Sequence, residues 1–338
     1  MATLIRPPPP DPEKSSIESV LELFRLSDID PNLFTNKQPL WHPPGARGVY
    51  GGAVIAQCLS AAMRTVPDNF NIHSMHCYFV LNGSSEIPII YHVERVREGK
   101  SFCTRTVQAR QRGQPIFTTT MSFMREGSGG KELVKHSVEM DDVPQPVKEN
   151  GSQRFPQGLE GPFQSQRIDI TNHRSKYPQL KKTRQWIKAR GKISESGGQA
   201  AHLEALAYMS DSYFIGTVAR VHRLWRFSNS RPIDNNKVKI DDDVSKSVRD
   251  LEEQEVAQSP METRPEIGMM VSLDHTIYFH APKDFRADEW LFTEMSSPWA
   301  GDGRGLVFQH IYTQKGKLVA TCVQEGVVRL RQQEQSKL

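Results

Sequence analysis

The sequence predicts an α+β fold of two fused repeats, each a long buried helix wrapped by a curved antiparallel sheet. Three observations carry this. A Gly-Gly pair followed by a helix-length apolar stretch occurs twice, at Gly51-Gly52 and Gly197-Gly198, and each time a Met stands eleven residues after the second glycine, at Met63 and Met209. A strand-like run follows each helix: Ile72 to Leu81 contains Tyr78-Phe79, and Met269 to His280 contains Tyr278-Phe279. Both repeats then close on a turn and a β-rich strand, Gly113-Gln114-Pro115-Ile116 leading to Met121 and Gly316-Lys317-Leu318-Val319 leading to Gln324.

The two helices are rich in Ala and Leu, which favour helix. They are apolar on nearly every face, as a helix buried all round must be. Further strands are expected over Ile89 to Val96 and Phe102 to Arg110. The N-terminal repeat is placed at 17–125, a linker rich in Gly, Pro, Ser and charge at 126–174, the C-terminal repeat at 175–330, and a tail at 331–338. A segment at about 228–268 has no counterpart in the first repeat. It carries Asp241-Asp242-Asp243, Glu252-Glu253 and three prolines with few aromatics, a composition expected of a solvated excursion with at most a short helix around Val244 to Val256.

The length of 338 residues suggests two domains or one large one. A formal net charge of +4 with no Lys/Arg run argues against nucleic acid as a partner. No stretch approaches the 18 apolar residues of a membrane-spanning helix. The start, Met1 to Lys14 with four consecutive prolines from Pro7, lacks the apolar core of a secretory signal and reads as an extended or disordered lead-in. Cys58, Cys77, Cys103 and Cys322 form no Cys-x-x-Cys pair and sit among apolar neighbours. Buried free thiols in a non-secretory compartment are expected. The final Ser336-Lys337-Leu338 matches the address read by the peroxisomal import receptor.

Polar residues intrude on the apolar elements at three places. Asp211 ends the second helix with Ala207, Tyr208, Phe214 and Ile215 at helical spacing around it. It is either an exposed helix end or a carboxylate whose pKa is raised by burial and by the helix C-terminus. In the strand Val271 to His280, alternation puts Val271, Leu273, Ile277 and Phe279 on one face, with His275 breaking into that set. Ser272, Asp274, Thr276, Tyr278 and His280 take the other face, which is either solvent-facing or functional. His275 and His280 then point apart, so they do not share a metal. Gln324 stands in a β-rich segment where the first repeat has Met121. It is either an edge-strand amide or a sign that the repeats have diverged in task. No Gly-x-Ser-x-Gly elbow, phosphate-binding loop, dinucleotide fingerprint or His-Glu-x-x-His is present.

Several motifs together resemble the acyl-CoA thioesterase II family of double-hotdog enzymes, most nearly its peroxisomal members. They are Arg47-Gly48-Val49-Tyr50-Gly51-Gly52, His73-Ser74-Met75-His76-Cys77-Tyr78-Phe79, Ala207-Tyr208-Met209-Ser210-Asp211, Val271-Ser272-Leu273-Asp274-His275 with Phe279-His280, Ser297-Pro298-Trp299-Ala300, and Cys322-Val323-Gln324-Glu325-Gly326. The resemblance spans about 17–330 apart from the linker and the insertion. It implies hydrolysis of fatty acyl-CoA to free fatty acid and CoA by direct attack of water, with no cofactor and no metal. It implies a catalytic set of Asp211, Ser272 and Gln324, the same three residues flagged above as polar intrusions. An oxyanion donor is expected at a helix N-terminus, with Gly197 and Gly198 as the candidates. It also implies a peroxisomal matrix enzyme that forms a homo-oligomer. The insertion leaves Asp211 and Ser272 61 residues apart, farther than is usual in the family. Two other readings share the fold: an acyl-CoA binding protein without catalysis, and a hotdog enoyl-CoA hydratase, for which no motif is found.

Overall fold

The computed structural model describes residues 8–9, 11–41, 48–131, 134–146, 161–224 and 265–331. The first half runs α1 (Ser16–Leu21), β1 (Leu23–Arg25), β2 (Leu33–Asn36), α2 (Gly51–Met63), β3 (Phe70–Phe79), β4 (Ile90–Glu98), β5 (Phe102–Gln111) and β6 (Gln114–Arg125). The second half runs β7 (Phe163–Thr171), β8 (Lys182–Ala189), α3 (Gly198–Ser210), α4 (Gly216–His222), β9 (Ile267–Ser272), β10 (Asp274–Phe279), β11 (Leu291–Gly301), β12 (Arg304–Tyr312) and β13 (Leu318–Leu330).

The strands form one antiparallel sheet in the order β1-β2-β4-β5-β6-β3-β10-β13-β12-β11-β8-β7, with β9 paired to β13. The order reads the same outward from its centre in either direction. At that centre β3 and β10 pair with each other, His76 opposite Thr276. The two strands carrying the repeated Tyr-Phe pair thus form the seam of the molecule. α2 and α3 pack together inside the curved sheet. α2 is buried from Gly52 through Ala62, and α3 is buried at nearly every residue from Ala201 to Ser210. This accounts for their lack of a polar face. One core joins both halves, including Ile55, Leu59, Met75 and Phe123 of the first with Leu206, Met209, Ile277 and Ile311 of the second. Each such fully buried aliphatic side chain contributes roughly 1.5–3 kcal/mol. All four cysteines are free and buried.

The structure differs from the sequence reading at two boundaries. The expected linker at 126–174 contains β7, which pairs with β8 from Phe163↔Ala189 to Thr171↔Lys182 and is the edge strand of the second half. Its alternation is weak because the strand is half-buried along most of its length, so composition favoured a loop. The expected single strand Met269 to His280 is two strands, β9 and β10, broken at Leu273. Most of the 228–268 insertion, its possible helix and the Ser-Lys-Leu terminus lie outside the described residues. The end of that insertion belongs to β9, which begins at Ile267.

Candidate active site

Asp211 is the C-cap of α3. The chain turns away just beyond it because Tyr213 takes the left-handed conformation (φ 53). Asp211 keeps some solvent access, but its carboxylate is enclosed. Gln324 Nε2 donates to Oδ1 at 2.8 Å. The backbone N–H of Gly52 donates to the same carboxylate. Gly51 lies so close that a Cβ there would come within 2.7 Å of Oδ2. Burial pushes the Asp211 pKa up to about 6, against the two hydrogen bonds, which favour the anion. Burial therefore acts as expected, but the charge also faces the N-terminal end of α2, where free N–H groups favour an anion.

Gln324, on β13, is fully buried (0 % exposed). Its Nε2 lies 2.8 Å from Asp211 Oδ1 and 3.2 Å from His275 Nδ1, and its Oε1 is buried with no hydrogen-bond partner among the described residues.

A β-bulge turns Ser272 to the same face as Gln324. β9 pairs with β13 as Ser272↔Gly326, and β10 pairs with the same strand as Thr276↔Val323. Four steps on one side thus match three on the other, and the extra residue reverses the alternation. Leu273 N–H donates to the Glu325 carbonyl, and Asp274 Oδ1 accepts from the Glu325 N–H at 2.7 Å, which satisfies the backbone where the ladder is interrupted. Ser272 stands opposite Gly326, two residues from Gln324 on the same face of β13. That face is the interior one, since a Cβ on Gly326 would meet the Ile215 side chain at 2.6 Å. The assignment of Ser272 to a face shared with Asp274, Thr276 and Tyr278 is therefore corrected. The structure hydrogen-bonds Asp211 to Gln324 and sets Ser272 on the interior face opposite Gly326, with no hydrogen bond to either among the described residues.

The first half has the same scaffold with different residues at the corresponding positions. β3 carries a matching irregularity between Ile72 and Ser74 where it pairs with β6. Counted from the repeated Met, the Tyr-Phe pair and the closing-turn glycines Gly113 and Gly316, the counterparts of Asp211, Ser272, His275 and Gln324 are Thr65, Ile72, Met75 and Met121. Met75 and Met121 face each other across the strands. The space beside Thr65 is filled by the buried Arg105 guanidinium, bonded to Thr65 Oγ1 and the Thr65 carbonyl at 2.8 Å each and to Glu98 Oε1 at 2.7 Å.

Gly197 and Gly198, the expected oxyanion donors, are at the wrong end of α3. A thirteen-residue helix separates them from Asp211, about 20 Å at the usual rise. Their end is occupied by Glu18 of α1, which accepts from Ser194 Oγ at 2.5 Å and Ser194 N at 3.1 Å and would lie 2.6 Å from a Cβ on Gly197. The glycines beside Asp211 are Gly51 and Gly52, from the other half. The Tyr50-Gly51-Gly52 motif was the signal for them, and only the packing of the halves shows whose carboxylate it serves. In the sequence His275 shows only as a break in the apolar face.

A family model described as the acyl-CoA thioesterase C-terminal domain matches residues 138–328, and one described as the acyl-CoA thioesterase N-terminal domain matches residues 38–124. Human acyl-coenzyme A thioesterase 8 is 32 % identical over 352 aligned residues, covering 98 % of this chain and 94 % of the human protein. The chain belongs to the acyl-CoA thioesterase II family. Membership makes this thioesterase a hydrolase of acyl-CoA thioesters. The chain is also similar to the peroxisomal acyl-coenzyme A thioester hydrolase 1 of Saccharomyces cerevisiae, 26 % identical over 93 % of this chain and 94 % of the yeast protein. Among solved structures, the acyl-CoA thioesterase II TesB2 of Mycobacterium marinum superposes with a TM-score of 0.65 at 29 % identity, covering 95 % of this chain and 99 % of that one. A hot dog fold protein from Alicyclobacillus acidocaldarius, of TM-score 0.61 and 17 % identity over 94 % of this chain and 100 % of its own, agrees in fold. The thioesterase is thus an α+β double hotdog.

Proposed function

We infer that this thioesterase hydrolyses fatty acyl-CoA by direct attack of one water held by Asp211, Ser272 and Gln324. The observation that carries the reading is the Gln324–Asp211 hydrogen bond at the N-terminus of α2, beside the inward-facing Ser272. Asp211, with a pKa near 6, is ionised at neutral pH yet basic enough to draw a proton from the water. The buried Gln324 Oε1 is an acceptor with no donor among the described residues, and the attacking water is the donor that suits it. The Ser272 hydroxyl can both donate and accept, and it completes the cradle.

Attack forms the C–O bond as the carbonyl π pair moves onto oxygen. The charge that develops there lies at the positive end of α2; the Gly52 N–H already serves Asp211 and the Ala53 N–H goes to the Tyr50 carbonyl, which leaves the Gly51 N–H as the donor to meet it. Collapse of the tetrahedral species breaks the C–S bond, and the CoA thiolate leaves. The proton taken by Asp211 returns to the thiolate, which restores the base. No acyl-enzyme is formed.

The yeast relative's name and the Ser336-Lys337-Leu338 triplet support import into the peroxisomal matrix by the import receptor. The family resemblance supports association of copies into a homo-oligomer.

The test is thiol release by Asp211→Asn, Ser272→Ala, Gln324→Ala and the double variant of the last two. Asp211→Asn should lose about 10²–10⁴-fold in kcat. The two truncations should each be slow, and their combination should be little slower than the worse one, because both hold the same water. Near-normal turnover by Asp211→Asn, or an acyl-enzyme trapped in a single turnover, overturns the mechanism.

A further inference from the structure

His275 is fully buried (0 % exposed) in β10, and burial pushes its pKa down to about 3, so the ring is neutral. Its Nε2 lies 2.9 Å from Ser210 Oγ, Ser210 Oγ lies 2.9 Å from the Ala207 carbonyl, and its Nδ1 lies 3.2 Å from Gln324 Nε2. Hydrogen can be placed on this chain in one consistent way. The Ala207 carbonyl only accepts, so the Ser210 hydroxyl donates to it. The hydroxyl oxygen then accepts from Nε2–H of His275. A neutral ring protonated on Nε2 has a bare Nδ1, which accepts. Only the NH₂ end of Gln324 can face it, with the second N–H going to Asp211 Oδ1 at 2.8 Å.

Asp211 alone holds the amide in this orientation only while it is ionised. Once it has taken the proton from water, it becomes a donor, and Gln324 could turn its oxygen toward the acid. Nδ1 of His275 opposes that turn, because the flipped amide would set its oxygen against a bare ring nitrogen. Resting on the catalytic reading above, we propose that His275 is a positioning residue. It keeps the Gln324 amide nitrogen on Asp211 and the amide oxygen on the attacking water throughout the cycle.

A second observation points the same way. In the first half the corresponding positions are Met75 and Met121, facing each other across β3 and β6. The two halves differ at both positions together, so the imidazole and the amide occur as a pair. A His retained only to fill the core would have no need to accompany Gln324.

The Met75 arrangement also supplies the test variant, since it shows that this scaffold packs a thioether there. In His275→Met, kcat should fall by roughly 10–100-fold with KM nearly unchanged. The acid limb of its pH–rate profile should move to higher pH. The freed amide can then accept from protonated Asp211, which favours the acid form, so the base is depleted at a pH where the parent enzyme still has it. The titratable groups that interact with Asp211 among the described residues are Tyr50, Tyr208 and Cys77, each held neutral by burial well beyond this range.

In a Gln324→Ala background, His275→Met should add little, because the ring acts through the amide. His275→Asn sets its oxygen near the Nδ1 position and should recover most of kcat. His275→Gln reaches the Nε2 position and should not. The Asn and Gln variants carry the comparison if the Met variant does not fold. A normal kcat and acid limb in His275→Met, independent multiplication of the two effects, or equal activity of the Asn and Gln variants overturns the positioning role. Normal activity in Gln324→Ala would overturn the catalytic reading beneath it, and that single variant separates the two failures.

Discussion

The N–H of Gly52, near the start of the first half's central helix, donates to the carboxylate of Asp211, the residue that ends the central helix of the second half. The carboxylate and the helix terminus that holds it come from different repeats. The site therefore exists only because the repeats are packed together.

Gly51 is where this relationship is most exposed to mutation. A Cβ there would stand 2.7 Å from Asp211 Oδ2 and 2.8 Å from Phe79 Cε1. Gly51→Ala should push the carboxylate aside and lower kcat by about 10²-fold, measured by thiol release. Gly52→Ala is a harsher change, since its Cβ would meet the Tyr208 carbonyl at 2.2 Å and the Tyr50 ring at 2.5 Å. It should lower the melting temperature as well as activity.

The pH dependence follows from Asp211. A general base works only when ionised, and burial holds its pKa near 6. The rate should be level above that pH and fall about tenfold per unit well below it. In Gln324→Ala the hydrogen bond that favours the anion is lost, so the limb should move upward. An initial-rate profile from pH 4 to about 9 at saturating acyl-CoA checks both the position and the direction.

Arg105 gives the opposite dissociation, stability without chemistry. It is fully buried, and its guanidinium satisfies Thr65 Oγ1 and the carbonyls of Thr65, Arg97 and Thr104. Arg105→Met should cost about 2–4 kcal/mol, because those buried acceptors lose their donors. kcat per folded molecule should stay close to that of the parent. Denaturant melts paired with thiol-release assays separate the two effects.

The Ser336-Lys337-Leu338 triplet should act as an address independent of the fold. An N-terminally fluorescent fusion should colocalise with a peroxisomal marker, and removal of Leu338 should leave it in the cytosol with unchanged thioesterase activity in the lysate.

Much of this protein was legible along the chain. The duplication, the two all-apolar helices and the closing strands follow from local periodicity and propensity, which neighbouring residues carry between them. Asp211 and Gln324 stand out because a polar side chain in an apolar element conflicts with its surroundings wherever the chain goes, whereas Ser272 falls on the polar face of a simple alternation and is singled out only by the family resemblance. Tertiary structure decided the rest. Simple alternation put Ser272 on the wrong face because a bulge is set by the partner strand, not by the strand's own pattern. Both glycine pairs look alike in sequence, so sequence does not tell which of them lies beside Asp211. Only the packing of α2 against α3 determines that Gly51 and Gly52 meet Asp211 while Gly197 meets Glu18. The order of residues settled which chemical groups were available, and the contacts between distant segments settled which of them share one interior space.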